Sequence, residues 1–146
     1  MRSVKDILNA KRDSDTYSVA PDTLVWDAIK LMTEKSVGAL LVTDNNKLLG
    51  IVSERDYLRK VALMGRSSQS TEVKHIMTAN PITVTPETSL ELCMKLMTEK
   101  RIRHLPVVAN DKTLAMLSIR DVLESTMAEP KHLIEQLEQY IRGESY

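Results

Sequence analysis

The chain has 146 residues, with 20 basic side chains balanced by 20 acidic ones, and a single cysteine. A net charge of zero lacks the positive field that nucleic-acid binding requires, and the apolar runs are too short to span a membrane. The charged N-terminal stretch is not a secretory signal, and one cysteine suits a reducing compartment, so we expect a cytoplasmic globular protein.

The first half of the chain predicts a strand, a helix, a hairpin and a second helix. Residues 17–19 form a short β segment, after which Pro21 is placed to start a helix. That helix has one apolar face at helical spacing, made by Leu24, Ala28, Leu31 and Met32. A hairpin at 39–43 and 48–52 follows, with a polar turn, and a helix over 54–63 ends this half.

The second half repeats the first. Residues 17–58 align without a gap to residues 82–123 at a constant offset of 65, and eighteen of the 42 positions are identical. Further upstream, residues 4–8 recur at 73–77 with an offset of 69. Self-similarity of this kind indicates two tandem copies of one supersecondary unit.

The copied elements follow in the same order. Residues 82–84 predict a strand, and Thr88 with Glu91 predicts a capping box at the start of the next helix. A hairpin at 105–108 and 113–117 and a helix over 119–127 complete the copy. Beyond Pro130 one apolar stripe predicts a last helix, formed by Leu133, Ile134, Leu137, Tyr140 and Ile141.

The unit, its duplication and three sequence motifs resemble the tandem cystathionine β-synthase (CBS) domain pair. The motifs are GIVSERD at 50–56, RHLPVV at 103–108 and AMLSIRD at 115–121. The resemblance implies an α/β (α+β) fold of two tandem β-α-β-β-α CBS repeats, packed with pseudo-two-fold symmetry, plus a C-terminal helix.

Within one compact module we expect three parts. Residues 1–68 form the first repeat with an N-terminal helix and a linker, residues 69–128 form the second repeat, and residues 129–146 form the C-terminal helix.

Each copy carries a Ser-x-Arg-Asp segment where a strand meets a helix. The Ser hydroxyl and the first helix amides make an anion site, and an ionised Asp accepts both hydrogen bonds of a ribose diol. The Arg reaches a phosphate with a forked pair of donors. These residues predict a ribose-phosphate clamp, formed by Ser53, Arg55 and Asp56 and again by Ser118, Arg120 and Asp121. The alternative is that Ser-x-x-Asp only caps each helix.

The resemblance also implies an adenine slot beside each clamp. In the first copy its walls are Thr16, Tyr17, Ser18, Val37, Gly38 and Ala39. In the second copy they are Ile82, Thr83, Ile102, Arg103, His104, Leu105 and Pro106. For apolar members such as Val37, Ile102 and Leu105, a place in the core is an equally good interpretation. Because the second copy has Arg101–His104 where the first is neutral, we expect it to hold a more charged phosphate chain.

The function that this resemblance implies is a regulatory sensor without catalytic residues, catalytic cofactor or metal. It binds an adenosine-containing ligand (AMP, ATP, NAD or S-adenosylmethionine) in clefts between the repeats and signals to an unidentified partner protein. We expect a homodimer and no nucleic-acid or membrane partner. The alternatives are a ligand-free dimerisation scaffold and an enzyme acting on a nucleotide. For an enzyme the sequence offers no nucleophile, since Cys93 falls on an apolar helix face and is best interpreted as an inert core thiol.

Overall fold

The computed structural model describes residues 2–10 and 16–126, together with Glu138 and Ile141. The predicted C-terminal helix at 129–146 lies outside the described residues apart from these last two. Among the described residues, no helix combines the length and the apolar composition that crossing a membrane requires.

The described chain mixes helices and strands, as the sequence predicts. The helices are α1 (Val4–Ala10), α2 (Val25–Lys35), α3 (Glu54–Tyr57), α4 (Leu90–Lys100) and α5 (Ile119–Thr126). The strands are β1 (Ser18–Val19), β2 (Ala39–Asp44), β3 (Lys47–Ser53), β4 (Thr78–Ala79), β5 (His104–Ala109) and β6 (Lys112–Ser118). A π-helix (Leu58–Ala62) continues α3, and a 3-10 helix (Val73–His75) precedes β4.

The two repeats correspond in structure as they do in sequence. Helices α2 and α4 both have 11 residues and begin and end 65 residues apart. Each ends at a residue in the left-handed region, Ser36 with φ 56° and Arg101 with φ 54°. Both hairpins turn through two residues of positive φ, at Asn45–Asn46 and Asn110–Asp111. Asn and Asp tolerate this conformation better than other residues with a side chain. The predicted pair of β-α-β-β-α repeats is therefore confirmed.

The start of α4 differs from the prediction. Its N-cap is Ser89, whose Oγ accepts a hydrogen bond from the Leu92 amide at 3.1 Å. Thr88, the predicted cap, instead accepts from the Thr85 amide at 3.0 Å. The predicted Thr88–Glu91 capping box is wrong because the helix begins one residue later than that pairing requires.

A four-stranded sheet in the order β1-β2-β3-β4 forms around the first repeat. Strand β1 runs parallel to β2, and the antiparallel β2–β3 hairpin pairs Ala39 with Ser53. In the second repeat, β5 and β6 form a two-stranded sheet.

The strand predicted at 82–84 is reduced to a parallel bridge between Val84 and Val107. The reason lies in one residue. The Leu41 amide donates to the Tyr17 carbonyl in the first repeat, whereas the equivalent of Leu41 is Pro106, which has no N–H to donate.

Gly50 shows how closely β4 lies against β3. A Cβ on Gly50 would stand 2.6 Å from the Thr78 carbonyl oxygen and 2.8 Å from the Met77 sulfur. The equivalent residue of the second repeat is Ala115, in a strand that pairs with β5 alone among the described residues. A side chain is therefore tolerated at Ala115 but not at Gly50.

The chain folds into two compact units, and each unit includes a segment that the sequence repeat assigns to the other copy. The first-repeat unit comprises Thr16–Pro81 and Asp111–Thr113, and the second-repeat unit comprises, within the described residues, 2–10, 82–110 and 114–126. This division differs from the sequence-based one at residue 68.

Backbone hydrogen bonds explain the exchange. The Val4 amide donates to the Thr88 carbonyl at 2.9 Å, so α1 belongs with the second repeat. The Val73 amide donates to the Thr23 carbonyl at 2.8 Å, so the 3-10 helix belongs with the first. The two hydrogen bonds are equivalent in the repeat, because Val73 lies 69 residues after Val4 and Thr88 lies 65 residues after Thr23.

Each unit has its own aliphatic core. The core of the first-repeat unit consists of Val25, Ala28, Met32, Leu40, Val42, Val52, Val61, Val73 and Ile76. The core of the second-repeat unit consists of Val4, Ile7, Val84, Leu90, Cys93, Met94, Met97, Leu105, Val107, Ala115, Leu117 and Val122. The exchanged segments supply residues that are almost fully buried, including Val4 and Val73.

Candidate ligand-binding site

The Ser-x-Arg-Asp segments lie at the two strand-to-helix junctions, as predicted. Ser53 is the last residue of β3 and the N-cap of α3, with an extended backbone. Ser118 is likewise the last residue of β6, directly before α5. Asp56, one turn into its helix, is 9% exposed, which is low for an acidic side chain and indicates that it is held by partners.

A reciprocal capping box holds the first segment. The Ser53 amide donates to Asp56 Oδ2 at 2.9 Å, and the Asp56 amide donates to Ser53 Oγ at 3.2 Å. The Ser53 hydroxyl also donates to Asp56 Oδ2, at 3.1 Å. One carboxylate oxygen of Asp56 is therefore committed to the helix cap, and the other, Oδ1, faces elsewhere.

The second segment has the same cap. The Ser118 amide donates to Asp121 Oδ2 at 2.8 Å, and the Asp121 amide donates to Ser118 Oγ at 3.1 Å. The capping role that the sequence left as an alternative is therefore present in both copies. In each copy the cap bond to the Ser amide uses Oδ2 of the carboxylate.

Lys60 contacts the second oxygen of Asp56. Its Nζ lies 3.3 Å from Asp56 Oδ1 and donates to the Ile76 carbonyl oxygen at 2.9 Å. The clamp and wall residues predicted from the sequence do not include Lys60. The available signal was its position four residues after Asp56, which is ion-pair spacing on a helix.

Backbone pairing brings the predicted wall residues of the first copy to the same junction. The Glu54 amide donates to the Gly38 carbonyl at 3.0 Å, and Ala39 pairs with Ser53 across the hairpin. The Leu41 amide bonds to the Tyr17 carbonyl, so the start of β1 lies beside the start of β2. The segment that precedes β2 therefore lies at the start of α3, and the start of β1 lies beside β2, on the side away from β3.

The second copy has the equivalent bond at its helix start and a different bond at its first segment. The Ile119 amide donates to the Arg103 carbonyl at 2.9 Å, and the Val84 amide donates to the Pro106 carbonyl at 3.0 Å. Leu105 is 0% exposed and belongs to the core, so it can support a ligand surface only from behind. Ile82 is 37% exposed and offers a contact face.

Two predicted ligand contacts already have protein partners. Lys35 Nζ lies 5.5 Å from the centre of the Tyr17 ring, a cation–π arrangement. Arg120 Nε donates to Glu124 Oε1 at 3.0 Å on the exposed face of α5. Both contacts are largely on the surface, where an ion pair contributes only about 0–1 kcal/mol, so a ligand can replace them at low cost.

A cavity of about 490 Å³ lies within the first-repeat unit, beside this junction. Its lining is mixed, with apolar helix residues and a few polar groups: Ile29, Met32, Thr33, Ser36, Val37, Gly38, Glu54, Tyr57 and Leu58. Two predicted wall residues, Val37 and Gly38, are among them. Glu54 lies over Gly38, since a Cβ there would stand 2.8 Å from Glu54 Oε1.

The two junctions differ in charge. Where the first has Glu54 against Gly38, the second has Ile119 against Arg103. The second junction therefore lacks one acid and gains one base, which supports the expectation that it is the more cationic site.

Other chemistries find little support in the part of the chain that the structure describes. No cluster of three or more His, Cys, Asp or Glu residues there could hold a metal ion. Cys93 is 0% exposed, and burial raises the pKa of its thiol to about 11, so it is protonated at neutral pH. A protonated, buried thiol is a poor nucleophile.

Comparison with known proteins gives consistent results. The CBS domain family model matches residues 3–63 and 73–127. The chain is 42% identical to the mitochondrial CBS domain-containing protein CBSX3 of Arabidopsis thaliana, over 97% of this chain and 72% of that protein. It is also similar to a solved CBS-domain protein of Burkholderia ambifaria MC40-6, with 49% identity, TM-score 0.82, and 89% and 97% of the two chains covered. The solved structure of CBSX2 in complex with AMP is 32% identical, with TM-score 0.75 and 88% and 98% coverage.

Proposed function

The chain belongs to the CBS domain family, and we propose that it is a regulatory module that binds adenosine-containing ligands at its two Ser-x-Arg-Asp junctions. The observation that carries this proposal is an equivalent backbone bond at each junction, which ties the start of the helix to the segment before the hairpin: Glu54 to Gly38 and Ile119 to Arg103. The AMP complex of CBSX2 supports adenosine as the common part of the ligand.

Each group at the junction has a defined role in this proposal. Asp56 and Asp121 accept the ribose hydroxyls, and Arg55 and Arg120 donate to phosphate. The segments that start β1 and β2, and their counterparts in the second repeat, flank the adenine. CBS-domain proteins are regulatory modules, so the ligand changes what the protein presents to a partner rather than undergoing reaction. Such a response is limited by the difference in ligand affinity between the two states.

We propose that the two sites prefer different ligands. The first, with Glu54 at its edge, suits a ligand with few negative charges such as AMP. The second, with Arg103 in place of Gly38, suits ATP or another ligand with a longer phosphate chain. Affinity for ATP should therefore fall more steeply with salt at the second site than at the first.

Ligand binding is tested directly by calorimetry and thermal unfolding with AMP, ATP, NAD and S-adenosylmethionine. A ligand at a hundred times its Kd stabilises the folded state by about 2.7 kcal/mol, which raises the melting temperature by several degrees. The matched control is 2′,3′-dideoxyadenosine against adenosine, since only adenosine offers the diol. If no ribonucleotide binds to the folded protein, the proposal is wrong.

A second candidate function is a ligand-free interaction scaffold. It is favoured by the reciprocal Ser–Asp hydrogen bonds that cap both helices. In that case Asp56 and Asp121 serve α3 and α5 alone. Self-association fits either function, because the first-repeat unit exposes several large apolar side chains, among them Trp26, Leu58, Leu63 and Met64. We propose a homodimer, which light scattering coupled to gel filtration would detect as twice the chain mass of 16.5 kDa. Location in the cytoplasm remains a prediction from the sequence.

A further inference from the structure

Three donors already face the carboxylate that is expected to hold the ribose in the first-repeat unit. Asp56 Oδ2 accepts from the Ser53 amide and the Ser53 hydroxyl, and Asp56 Oδ1 lies 3.3 Å from Lys60 Nζ. A carboxylate has about four acceptor positions, two on each oxygen. A vicinal diol needs two of them, so it cannot be accommodated at Asp56 while all three donors stay in place.

We propose that Lys60 is a built-in competitor for the ribose site, which a ribonucleoside must displace from Asp56 on binding. This inference rests on the proposed function and adds a residue that sets the affinity of the first site. Lys60 contacts the oxygen that the capping box leaves unused, which is the one a diol would approach. The Ser53 contacts, by contrast, hold the start of α3 and would be costly to break.

The geometry makes this displacement easy. The Lys60 side chain is 42% exposed, so water can solvate its ammonium group once it leaves Asp56. Its second contact, to the Ile76 carbonyl oxygen at 2.9 Å, does not involve Asp56 and can persist. The ion pair spans one turn at the junction of α3 and the π-helix, where a small rotation of the flexible side chain suffices to open it.

The test measures adenosine affinity, since adenosine carries the diol but no charge. It compares two proteins that both carry Asp121→Asn, one with Lys60 unaltered and one with Lys60→Met. The shared Asp121→Asn substitution makes binding at the first site dominate the calorimetric signal. We expect Lys60→Met to bind adenosine about two- to fivefold more tightly, the range that corresponds to a partly exposed ion pair. Affinity for 2′,3′-dideoxyadenosine should not change, and Lys60→Arg should return the affinity toward the original value.

Two controls separate competition from a structural effect. Arg59→Met removes the same charge from an exposed neighbouring position and should leave adenosine affinity unchanged. Raising the salt concentration screens the Lys60–Asp56 pair, so adenosine should bind the unaltered chain more tightly at high salt, while Lys60→Met shows no such gain. Melting temperatures confirm that each variant is folded.

The outcomes are distinct. If the unaltered chain binds adenosine but Lys60→Met binds it equally or more weakly, the competitor role is refuted while the proposed function stands. If a gain occurs equally for dideoxyadenosine, Lys60 affects the site by a route other than the diol, and the inference is again refuted. If no nucleoside or nucleotide binds to either variant, both the inference and the proposed function fail.

Discussion

The double role of Asp56, as a helix cap and as the ribose acceptor, can be separated by two substitutions. Asp56→Ala removes the acceptor of the Ser53 amide at 2.9 Å and the partner of Lys60 at 3.3 Å. Loss of a cap costs about 1 kcal/mol, and the partly exposed ion pair adds about 0–1 kcal/mol. In a chain of this size a decrease of about 1–2 kcal/mol in the free energy of unfolding lowers the melting temperature by about 3–8 °C.

Asp56→Asn keeps the cap but loses the charge. The amide oxygen of Asn can still accept from the Ser53 amide, so we expect the melting temperature to fall by less than half the amount seen with Ala. The Asn has only one accepting oxygen, and its NH₂ group cannot accept from a diol. Hydrogen bonds to a charged group contribute about 1.5–3 kcal/mol, so affinity for AMP should fall by about ten- to a hundredfold.

The assay pairs differential scanning calorimetry without ligand with isothermal titration of AMP, each in the Asp121→Asn background. Asp44→Asn is the matched control, because Asp44 is exposed at the end of β2 in the same unit. An Asp56→Asn protein that binds AMP as tightly as the unaltered chain would show that the carboxylate serves only the helix. An Asp56→Ala protein with an unchanged melting temperature would refute the argument about capping.

Three further predictions follow from the packing. Gly50→Ala should lower the free energy of unfolding by about 1–3 kcal/mol, because its Cβ would stand 2.6 Å from a backbone oxygen. Gly38→Ala is the control and should cost less, because its Cβ meets only the movable Glu54 side chain. Equal losses of stability in chemical denaturation would contradict this. The Cys93 thiol should resist Ellman's reagent at pH 8 in the folded state. Because folding raises the pKa of this thiol from 9.0 to about 11, its contribution to the free energy of unfolding should be intact below pH 9 and decline between pH 9 and 11. A Cys93→Ala variant should lack this decline. Val4→Ala should cost about 2 kcal/mol and reduce hydrogen-exchange protection in α4 more than in α2, and the reverse order would contradict the exchange of segments.

Much of the local structure could be predicted because the repeat is read directly from the sequence. The offset of 65 carries over to the bounds of α2 and α4 and to both hairpin turns, where Asn and Asp supply the positive φ. The Ser-x-x-Asp spacing indicated capped helix starts as the alternative to a ribose-phosphate clamp, and both caps are present. These features depend on residues close together in the chain, which is why sequence patterns are sufficient for them.

The features that were missed depend on long-range packing. The recurrence of Val4 at Val73 reveals a repeated segment, but nothing in the pattern tells which copy each segment packs against. The contact of Lys60 with the Ile76 carbonyl oxygen forms only when the 3-10 helix folds back onto the first repeat. The loss of the strand at 82–84 follows from Pro106, whose missing N–H matters only once its partner is known.

The exchange of segments between the units has a consequence for the order of folding during synthesis. Helix α1 is made first, yet the carbonyl that receives the Val4 amide belongs to Thr88, about 80 residues later. At about 5–20 residues per second, the ribosome needs about 4–17 seconds to supply it. The core of the first-repeat unit ends at Ile76 and is complete before that time. The unit that contains α1 is therefore completed after the first-repeat unit, and Val4 and Ile7 remain exposed to chaperones or to other nascent chains until then.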